Sequence, residues 1–173
     1  MSRPIQAFID SSALTHNLNI VRQYAPQARI MAVLKADAYG HGLLQAARAL
    51  KAADAFALLE LDAAIALRDA GFSQPILLLE GFFSMKELAV FEQYRLSSVV
   101  HHDEQVLMMS ASKHHRLDLF VKINTGMNRL GLAPKQLSSV IDKLTALQGV
   151  KSITLMTHFA CADDPKEDEN VRQ

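Results

Sequence analysis

Residues 30–42 read IMAVLKADAYGHG, in which an apolar run ends in a lysine and a glycine-punctuated loop follows at once. Five apolar residues in succession are typical of a strand that is buried on both faces, as in a parallel sheet. Lys35 then lies where this strand emerges. A lysine in such a place can simply snorkel its ammonium to water. However, Gly40 and Gly42 allow a ligand to approach the backbone closely, and Tyr39 adds a hydrogen-bonding side chain, so the stretch favours a functional lysine.

Working outward, apolar strands alternate with helices along the whole chain. Strands are predicted over 30–35, 55–59, 76–79, 97–101, 117–123 and 150–156, with a shorter one over Gln6–Ile9. Helices are predicted from a cap at Ser11 or Ser12 to Pro26, then over 43–53, 61–70, 85–94 with Ser84 as cap, 105–112 with Asp103 as cap, and from Pro134 to Gly149. Repeated βα units indicate a parallel sheet.

The class of parallel fold follows from the spacing of these units. Both a doubly wound sheet and a (β/α)₈ barrel of the TIM type fit the alternation, but the even spacing and the lack of a GxGxxG turn favour the barrel. A closed barrel needs eight strands and typically about 250 residues. This chain has 173 residues, so the sequence predicts the N-terminal part of such a barrel, about six of its eight βα units.

Composition narrows the partners that we expect. The chain is 50% hydrophobic, and 18 Lys and Arg balance 18 Asp and Glu. Without a basic patch we expect no nucleic acid and no membrane, but a small-molecule partner. Cys161 is the only cysteine and Met1–Pro4 lacks the apolar core of a signal peptide, so we expect a cytoplasmic location. The pairs His101–His102 and His114–His115 are adjacent residues whose side chains diverge, so no metal site is predicted.

Two further strand ends carry polar residues. The strand that ends in Lys122 runs into a glycine-bounded loop that contains Arg129, and His158 follows the last strand. In a barrel these positions lie at the face where reactive groups collect. Arg129 could hold a carboxylate in a bidentate fork or be a solvated surface residue, and His158 could be functional or structural. An amine, a guanidinium and an imidazole suit a carbonyl cofactor with an amino-acid substrate, with Lys35 as the Schiff-base lysine.

Three motifs resemble those of one enzyme family. AVLKADAYGHG (32–42) resembles the pyridoxal-phosphate lysine motif of alanine racemases, VKINTGMNRLG (121–131) resembles their substrate-arginine segment, and MTHFACADD (156–164) is similar to their histidine strand. The motifs occur in the family's order, and the resemblance extends over essentially the whole chain. It implies a pyridoxal 5'-phosphate enzyme that interconverts L-alanine and D-alanine, which supplies D-alanine for peptidoglycan.

The resemblance also implies roles for single residues. Lys35 would be the lysine of the internal aldimine and one of two bases at the alanine α-carbon. Tyr39 would bind the cofactor phosphate, and His158 would lie beside the cofactor ring. Arg129 would contact the substrate carboxylate, and Lys122 matches a lysine that some members carbamylate to orient that arginine.

Other parts of the family's site have no counterpart in residues 1–173. The second base is a tyrosine from a C-terminal β-domain of the partner subunit, and another arginine faces the pyridine nitrogen. We therefore expect a homodimer for a full-length member, and self-association with little racemisation for this chain alone. The alternatives are a truncated, non-catalytic barrel remnant that binds the cofactor or nothing, and another pyridoxal-phosphate barrel enzyme such as a broad-specificity racemase or a decarboxylase.

Overall fold

The computed structural model describes residues 4–112, 116–164, 166 and 168, and the chain divides into two compact units, Met1–Pro75 and Ile76–Gln173. Strands and helices alternate in both units. The predicted pair His114–His115 lies outside the described residues.

The first unit has two strands with helices before, between and after them. Its elements are α1 (Ser11–Tyr24), β1 (Met31–Val33), α2 (Lys35–Tyr39), α3 (Leu43–Ala49), β2 (Ala55–Leu58) and α4 (Leu61–Asp69). The strands pair in parallel, with Ala32 opposite Phe56. All four residues of β2 are buried, and Phe56 meets the ring of Phe72 edge to face at 5.7 Å. This core fixes the strand end from which Lys35 follows.

A carboxylate at the start of β2 also holds the chain that leads into β1. Asp54 Oδ2 accepts a hydrogen bond from the backbone N–H of Ile30 at 2.8 Å and from Arg22 Nη2 at 3.4 Å. The backbone hydrogen bond from Ile30 lowers the pKa of the Asp54 carboxyl, and the positive charges of Arg22 and Arg29 act in the same direction. The ionised carboxylate therefore ties the two strands of this unit to α1.

The second unit has four parallel strands in chain order. Its elements are β3 (Ile76–Leu78), α5 (Met85–Gln93), β4 (Leu96–Val100), α6 (Asp103–Ala111), β5 (Leu117–Lys122), a 3₁₀ turn (Pro134–Gln136), α7 (Leu137–Thr145) and β6 (Val150–Met156). Each strand pairs in parallel with the next, as Leu78 with Ser98, Val100 with Val121, and Lys122 with Met156. Burial on both faces explains why β3 reads as a continuous apolar run, and β4 is equally buried although it contains Ser97 and Ser98.

The two units together confirm the predicted fold class. Among the described residues, six strands alternate with helices, each strand pairing within a unit is parallel, and neighbours follow chain order, which is the arrangement of successive βα units in a TIM-type barrel. The amphipathic pattern of α7 was the clearest in the sequence, and Val140 and Leu144 are buried as the pattern predicts.

The predicted strand over Gln6–Ile9 is wrong, because residues 5–10, which the structure describes, have no regular structure. Phe8 is 88% exposed, so the short apolar run there is not a buried strand. The cap of α1 is Asp10 rather than a serine. Its Oδ1 accepts hydrogen bonds from the backbone N–H groups of Ser12 and Ala13 at 2.8 and 3.2 Å. These bonds and one from the Ser12 hydroxyl, which is the largest cause, lower the pKa of the Asp10 carboxyl.

The starts of two other helices also involve predicted cap residues. The N-cap of α6 is His102, whose Nδ1 accepts from the N–H of Glu104, and Asp103 lies in the first turn. Ser84 is the N-cap residue of α5, as predicted, but its hydroxyl donates to Glu87 Oε1 and accepts no hydrogen bond from the helix backbone. The cap residue is therefore predicted correctly for α5 and wrongly for α6.

Candidate active site

Lys35 follows the last pairing bond of β1. The N–H of Leu34, which is buried, donates to the carbonyl oxygen of Ala57 at 2.8 Å. Lys35 itself is half-buried. The apolar strand therefore presents the amine at the margin of the core, as the sequence predicts.

The segment that follows, α2, is not a right-handed helix but a left-handed turn. Ala36, Asp37, Ala38 and Tyr39 all have left-handed backbone angles, with φ between 52° and 56°, and Gly40 continues the turn at φ 83°. A left-handed turn places Cβ too close to the following carbonyl oxygen, at roughly 1–2 kcal/mol per non-glycine residue. The sequence signalled the glycine but not the four residues before it, because alanine and tyrosine rarely adopt this conformation.

Hydrogen bonds from both sides hold this left-handed turn. The N–H of buried Ala38 donates to Leu34 O at 2.9 Å, and Ala38 O accepts from the N–H of His41 at 3.1 Å and from its Nδ1 at 2.8 Å. Because a carbonyl oxygen only accepts, Nδ1 carries the hydrogen in this contact. Asp37 Oδ1 accepts from the N–H of Leu43, the first residue of α3, at 2.6 Å.

The turn brings two of the predicted site residues together. The Nζ atom of Lys35 lies 5.6 Å from the centroid of the Tyr39 ring, within the range of a cation–π contact. Tyr39 is 61% exposed, so its hydroxyl is accessible to a ligand. The first unit thus presents an amine and a phenol on one short segment.

In the second unit, β5 ends in Lys122, whose side chain is buried with 7% exposure. The chain then leaves the sheet and returns, since Leu132 N donates to Lys122 O and Asn124 N donates to Leu132 O, both at 2.9 Å. Gly131 closes this loop at φ 127°, where an added Cβ would lie 2.6 Å from the backbone nitrogen of Asn124. Because the loop end is in direct contact with the loop start, only glycine fits at this position.

Asn124 organises the inside of the same loop. Its Oδ1 accepts from the N–H groups of Gly126 and Asn128 at 3.2 and 3.0 Å, and its Nδ2 donates to Asn128 Oδ1 at 3.0 Å. Arg129 follows directly and is exposed. The predicted arginine therefore projects from a loop whose backbone is fixed.

A pair of hydroxyls joins this loop to the end of β6. Thr125 Oγ1 and Thr157 Oγ1 are 2.5 Å apart, and Thr157 immediately precedes His158, which is exposed. Sequence reasoning noted that a hydroxyl precedes the histidine but missed this contact, because the two threonines are 32 residues apart. It is the neighbouring positions of β5 and β6 in the sheet that bring them together.

A further histidine borders Lys122. Val100 pairs with Val121, and His101 and Lys122 directly follow these two paired residues, close enough for the charge of Lys122 to act on the imidazole. His101 Nε2 lies 3.1 Å from Glu80 O, and the imidazole is half-buried. Burial lowers the pKa of His101, and the charges of His102 and Lys122 lower it further, against the hydrogen bond to Glu80 O.

Gln105 fixes the backbone around that histidine. Its buried side chain accepts from His101 N at 2.8 Å and donates to Glu80 O and Phe82 O at 3.0 and 3.3 Å. Sequence reasoning considered His101 only as half of a metal pair. The register of β4 and β5 is what places it beside a predicted site lysine.

The fold and these strand ends define a class, that of barrel-type parallel α/β proteins whose reactive side chains follow the carboxyl ends of the strands. Comparison with known proteins identifies the family. A family model described as alanine racemase, N-terminal domain, matches residues 9–173, and the chain belongs to this family.

Individual relatives agree with that assignment. The chain is 59% identical over 172 residues to an alanine racemase of Nitrosospira multiformis and 61% identical over 174 residues to one of Nitrosomonas europaea, covering 99% and 100% of this chain and 48% of each relative. It superposes on the crystal structure of the biosynthetic alanine racemase from Pseudomonas aeruginosa with a TM-score of 0.90 and 37% identity, covering 95% of this chain and 46% of that one. The chain thus spans about half the length of the curated relatives it matches.

The described residues were also examined for membrane-spanning helices and for groups of metal-ligating side chains. None of their helices combines the length and the apolar character needed to cross a membrane. Within the same residues, His, Cys, Asp and Glu side chains form no group of three or more that could hold a metal ion.

Proposed function

We propose that this chain carries part of the catalytic machinery of a pyridoxal 5'-phosphate-dependent alanine racemase, which supplies D-alanine for peptidoglycan. The observation that carries the proposal is the half-buried amine of Lys35 at the end of an apolar parallel strand, with the Tyr39 ring 5.6 Å from its Nζ. The names of the relatives support the choice of alanine as substrate. On this proposal residues 1–173 are the N-terminal part of the barrel.

The donor set of the first unit fits this cofactor. An aldehyde needs a primary amine that can form a covalent bond, and Lys35 provides one at a partly desolvated position. A phosphate needs hydrogen-bond donors, and the accessible phenol of Tyr39 is one of them. When bound, the cofactor supplies an electron sink for the negative charge left when the α-proton is removed.

Lys35 is the residue to which we assign proton transfer. Once its Nζ is released as a neutral amine it can take a proton from the α-carbon, and the resulting ammonium can return one to it. Racemisation needs a second acid–base group on the other face of the α-carbon, and we assign only the Lys35 transfer to this chain.

Arg129 and His158 take the binding roles. The exposed guanidinium of Arg129 can hold the substrate carboxylate through two parallel hydrogen bonds, and the loop that Asn124 organises fixes its backbone. His158 is assigned to the side of the cofactor ring. Its backbone follows Thr157, whose contact with Thr125 fixes the end of β6 relative to the Arg129 loop.

Lys122 is the proposed carbamylation site. A lysine ammonium first loses one proton, and the neutral amine then adds to CO₂ and loses a second proton to solvent, so that a carbamate anion replaces a cation. On a buried side chain such an anion could pair with Arg129 on the loop that follows the same strand. Intact and peptide mass spectrometry in bicarbonate tests this step, and an unmodified Lys122 in folded protein would refute it.

The cofactor proposal is tested by trapping. The 173-residue chain is incubated with pyridoxal 5'-phosphate, reduced with borohydride and digested, and we expect the pyridoxyl adduct on the peptide that contains Lys35. Lys35→Arg should abolish the adduct, whereas Lys51→Arg, at an exposed lysine of the same unit, should leave it unchanged. Equal labelling of Lys35 and surface lysines would contradict the proposal and favour a non-catalytic scaffold.

The reaction itself is tested by D-alanine formation. We expect negligible racemisation by the 173-residue chain, and turnover when it is continued by the remaining part of the Nitrosospira multiformis relative. Ornithine and lysine serve as competing substrates, and a preference for either would refute the assignment to alanine. Turnover by the chain alone near that of the extended protein would refute the division of roles proposed above.

Assembly and location complete the proposal. We infer a homodimer for the extended protein, self-association of the 173-residue chain, and a cytoplasmic location. Exposed Leu155 and Phe159 on and after β6 support the self-association, since they present apolar surface beside the edge of the sheet. A monodisperse monomer in analytical ultracentrifugation would contradict it.

A further inference from the structure

We propose that Asp37 is a positioning residue, whose carboxylate fixes the left-handed turn between Lys35 and Tyr39 and thereby sets the geometry of the amine and the phenol. The effect on cofactor binding rests on the proposed function, whereas the effect on geometry does not. Asp37 is exposed and is not assigned any contact with substrate or cofactor.

Asp37 connects the left-handed turn to the start of α3 through hydrogen bonds of its side chain and its backbone. Its Oδ1 accepts from the N–H of Leu43 at 2.6 Å, and its own carbonyl oxygen accepts from the N–H groups of Gly40 and Gly42 at 3.1 and 3.0 Å. The N-cap residue of α3 is Gly42, which has no side chain to offer. Asp37 therefore satisfies the start of α3 from six residues upstream and closes the intervening chain into a ring.

The residues within this hydrogen-bonded ring have an unfavourable backbone conformation. Ala36 to Tyr39 are four consecutive non-glycine residues with φ above 50°, a conformation that L-residues do not hold without support. If the Asp37 bond were lost, the turn could relax toward ordinary angles. The Tyr39 ring would then move away from the Nζ atom of Lys35, because the turn that brings the two side chains together would be lost.

The charge and the geometry of the carboxylate can be separated with three variants. Asp37→Asn keeps an oxygen acceptor at the same reach without the charge, Asp37→Glu keeps the charge but displaces the acceptor, and Asp37→Ala removes both. If Asp37 is a positioning residue, the Asn variant should keep the Lys35–Tyr39 geometry of the unsubstituted chain. The Glu and Ala variants should both lose that geometry.

The control is Asp10→Ala in the same unit. Asp10 accepts from Ser12 N at 2.8 Å and Ala13 N at 3.2 Å at the start of α1, so its loss removes a helix cap without touching the Lys35 segment. Both alanine variants should lower the unfolding midpoint. Only the one at Asp37 should change the properties of Lys35.

The experiment uses the 173-residue chain with two readouts. The first needs no cofactor: the ring current of Tyr39 shifts the NMR signals of the Lys35 ε-methylene protons, and this shift should vanish in Asp37→Ala and Asp37→Glu but persist in Asp37→Asn and Asp10→Ala. The second is the dissociation constant for pyridoxal 5'-phosphate, which should rise about five- to tenfold in the first two variants, the size typical of a lost cap.

The outcomes separate the two proposals. A ring-current shift that survives in the Ala and Glu variants overturns the positioning role, even if stability falls. If the unsubstituted chain binds no pyridoxal 5'-phosphate while the shift is lost as expected, the proposed function fails and the positioning role stands. Should Asp37→Ala fail to fold, the comparison of Asp37→Glu with Asp37→Asn decides the question.

Discussion

The segment after β1 and the loop after β5 both present polar side chains at the end of a parallel strand, but they fix their backbones differently. The first forces four non-glycine residues into a left-handed turn and anchors it through the carboxylate of Asp37. The second places Gly131 at its strained position and satisfies its interior with the amide of Asn124. The first should therefore depend on one side-chain bond, and the second on one glycine and a network.

Gly131→Ala is expected to have the largest effect. The added Cβ would lie 2.6 Å from Asn124 N and 2.9 Å from Ile123 C, at a φ that L-residues rarely adopt, so the loop start would have to move. We expect a loss of about 3 kcal/mol or more in the free energy of unfolding. Gly40→Ala is the matched control, because its Cβ meets open space and should cost only about 1 kcal/mol. Urea unfolding measures both, and equal losses would contradict the comparison.

Asn124→Ala should have the next largest effect. It leaves the N–H groups of Gly126 and Asn128 without their acceptor, which typically costs about 1–3 kcal/mol. Asn124→Asp keeps the acceptor and loses only the donated bond to Asn128, so it should recover part of the loss. If both variants unfolded at the same urea concentration, the acceptor would not be what holds this loop.

Thr125→Val should cost about 1 kcal/mol, since it breaks one hydroxyl contact, and Thr157→Val slightly more, since its hydroxyl also donates to Ile123 O at 3.5 Å. The double variant should cost little more than either single one, and a double-mutant cycle in thermal unfolding measures that coupling. Strictly additive losses would show that the loop after β5 and the end of β6 are not joined through these hydroxyls.

Replacement of Ala36 by D-alanine sharpens the comparison from the other side. D-residues prefer positive φ, so a semisynthetic chain should gain roughly 1–2 kcal/mol at this exposed position. The same replacement at Leu130, whose φ is not positive, should destabilise. A loss at position 36, measured by urea unfolding, would mean that the left-handed turn is not the conformation in solution.

The smallest expected effect is a difference in pH dependence between the units. The pKa values of His101 and Asp54 are both lowered by folding, so the unfolded chain binds more protons and stability falls as the pH falls. For His101 the loss begins as the pH drops below its ordinary value of 6.5, whereas for Asp54 it begins only below 3.8. His101→Gln should reduce the loss of stability below pH 6.5, and Asp54→Asn should reduce the loss below pH 3.8. Urea unfolding midpoints between pH 8 and pH 3 measure both effects.

The fold could be predicted largely because strands that are buried on both faces consist of consecutive apolar residues, which are visible in the sequence. β2 and β3 are examples. Strand and helix limits shifted where hydrogen bonds rather than hydrophobicity decide them, as at the Asp10 cap of α1. The strand predicted over Gln6–Ile9 was wrong for another reason, since a short apolar run shows which residues could be buried but not whether a partner strand lies beside them.

For the candidate site, the sequence predicted which residues share a segment but not the hydrogen bonds that hold those segments. Lys35 and Tyr39 were expected on one segment and lie together. The left-handed turn between them could not be foreseen, because its stability comes from Leu43 N and other groups outside it. The contact of Thr125 with Thr157 depends on strand pairing over 32 residues, which no local pattern records.

The buried amide of Gln105 has a consequence for how this protein could be altered. It bonds simultaneously to the ends of two strands and to Phe82 O, and Gly81 leaves no room for a Cβ beside it. Of the two amide side chains, each of which offers both a donor and an acceptor from one group, only glutamine has this length. Gln105 and Gly81 therefore form an interdependent pair, and directed evolution of the neighbouring strand ends would have to change both at once or leave both untouched.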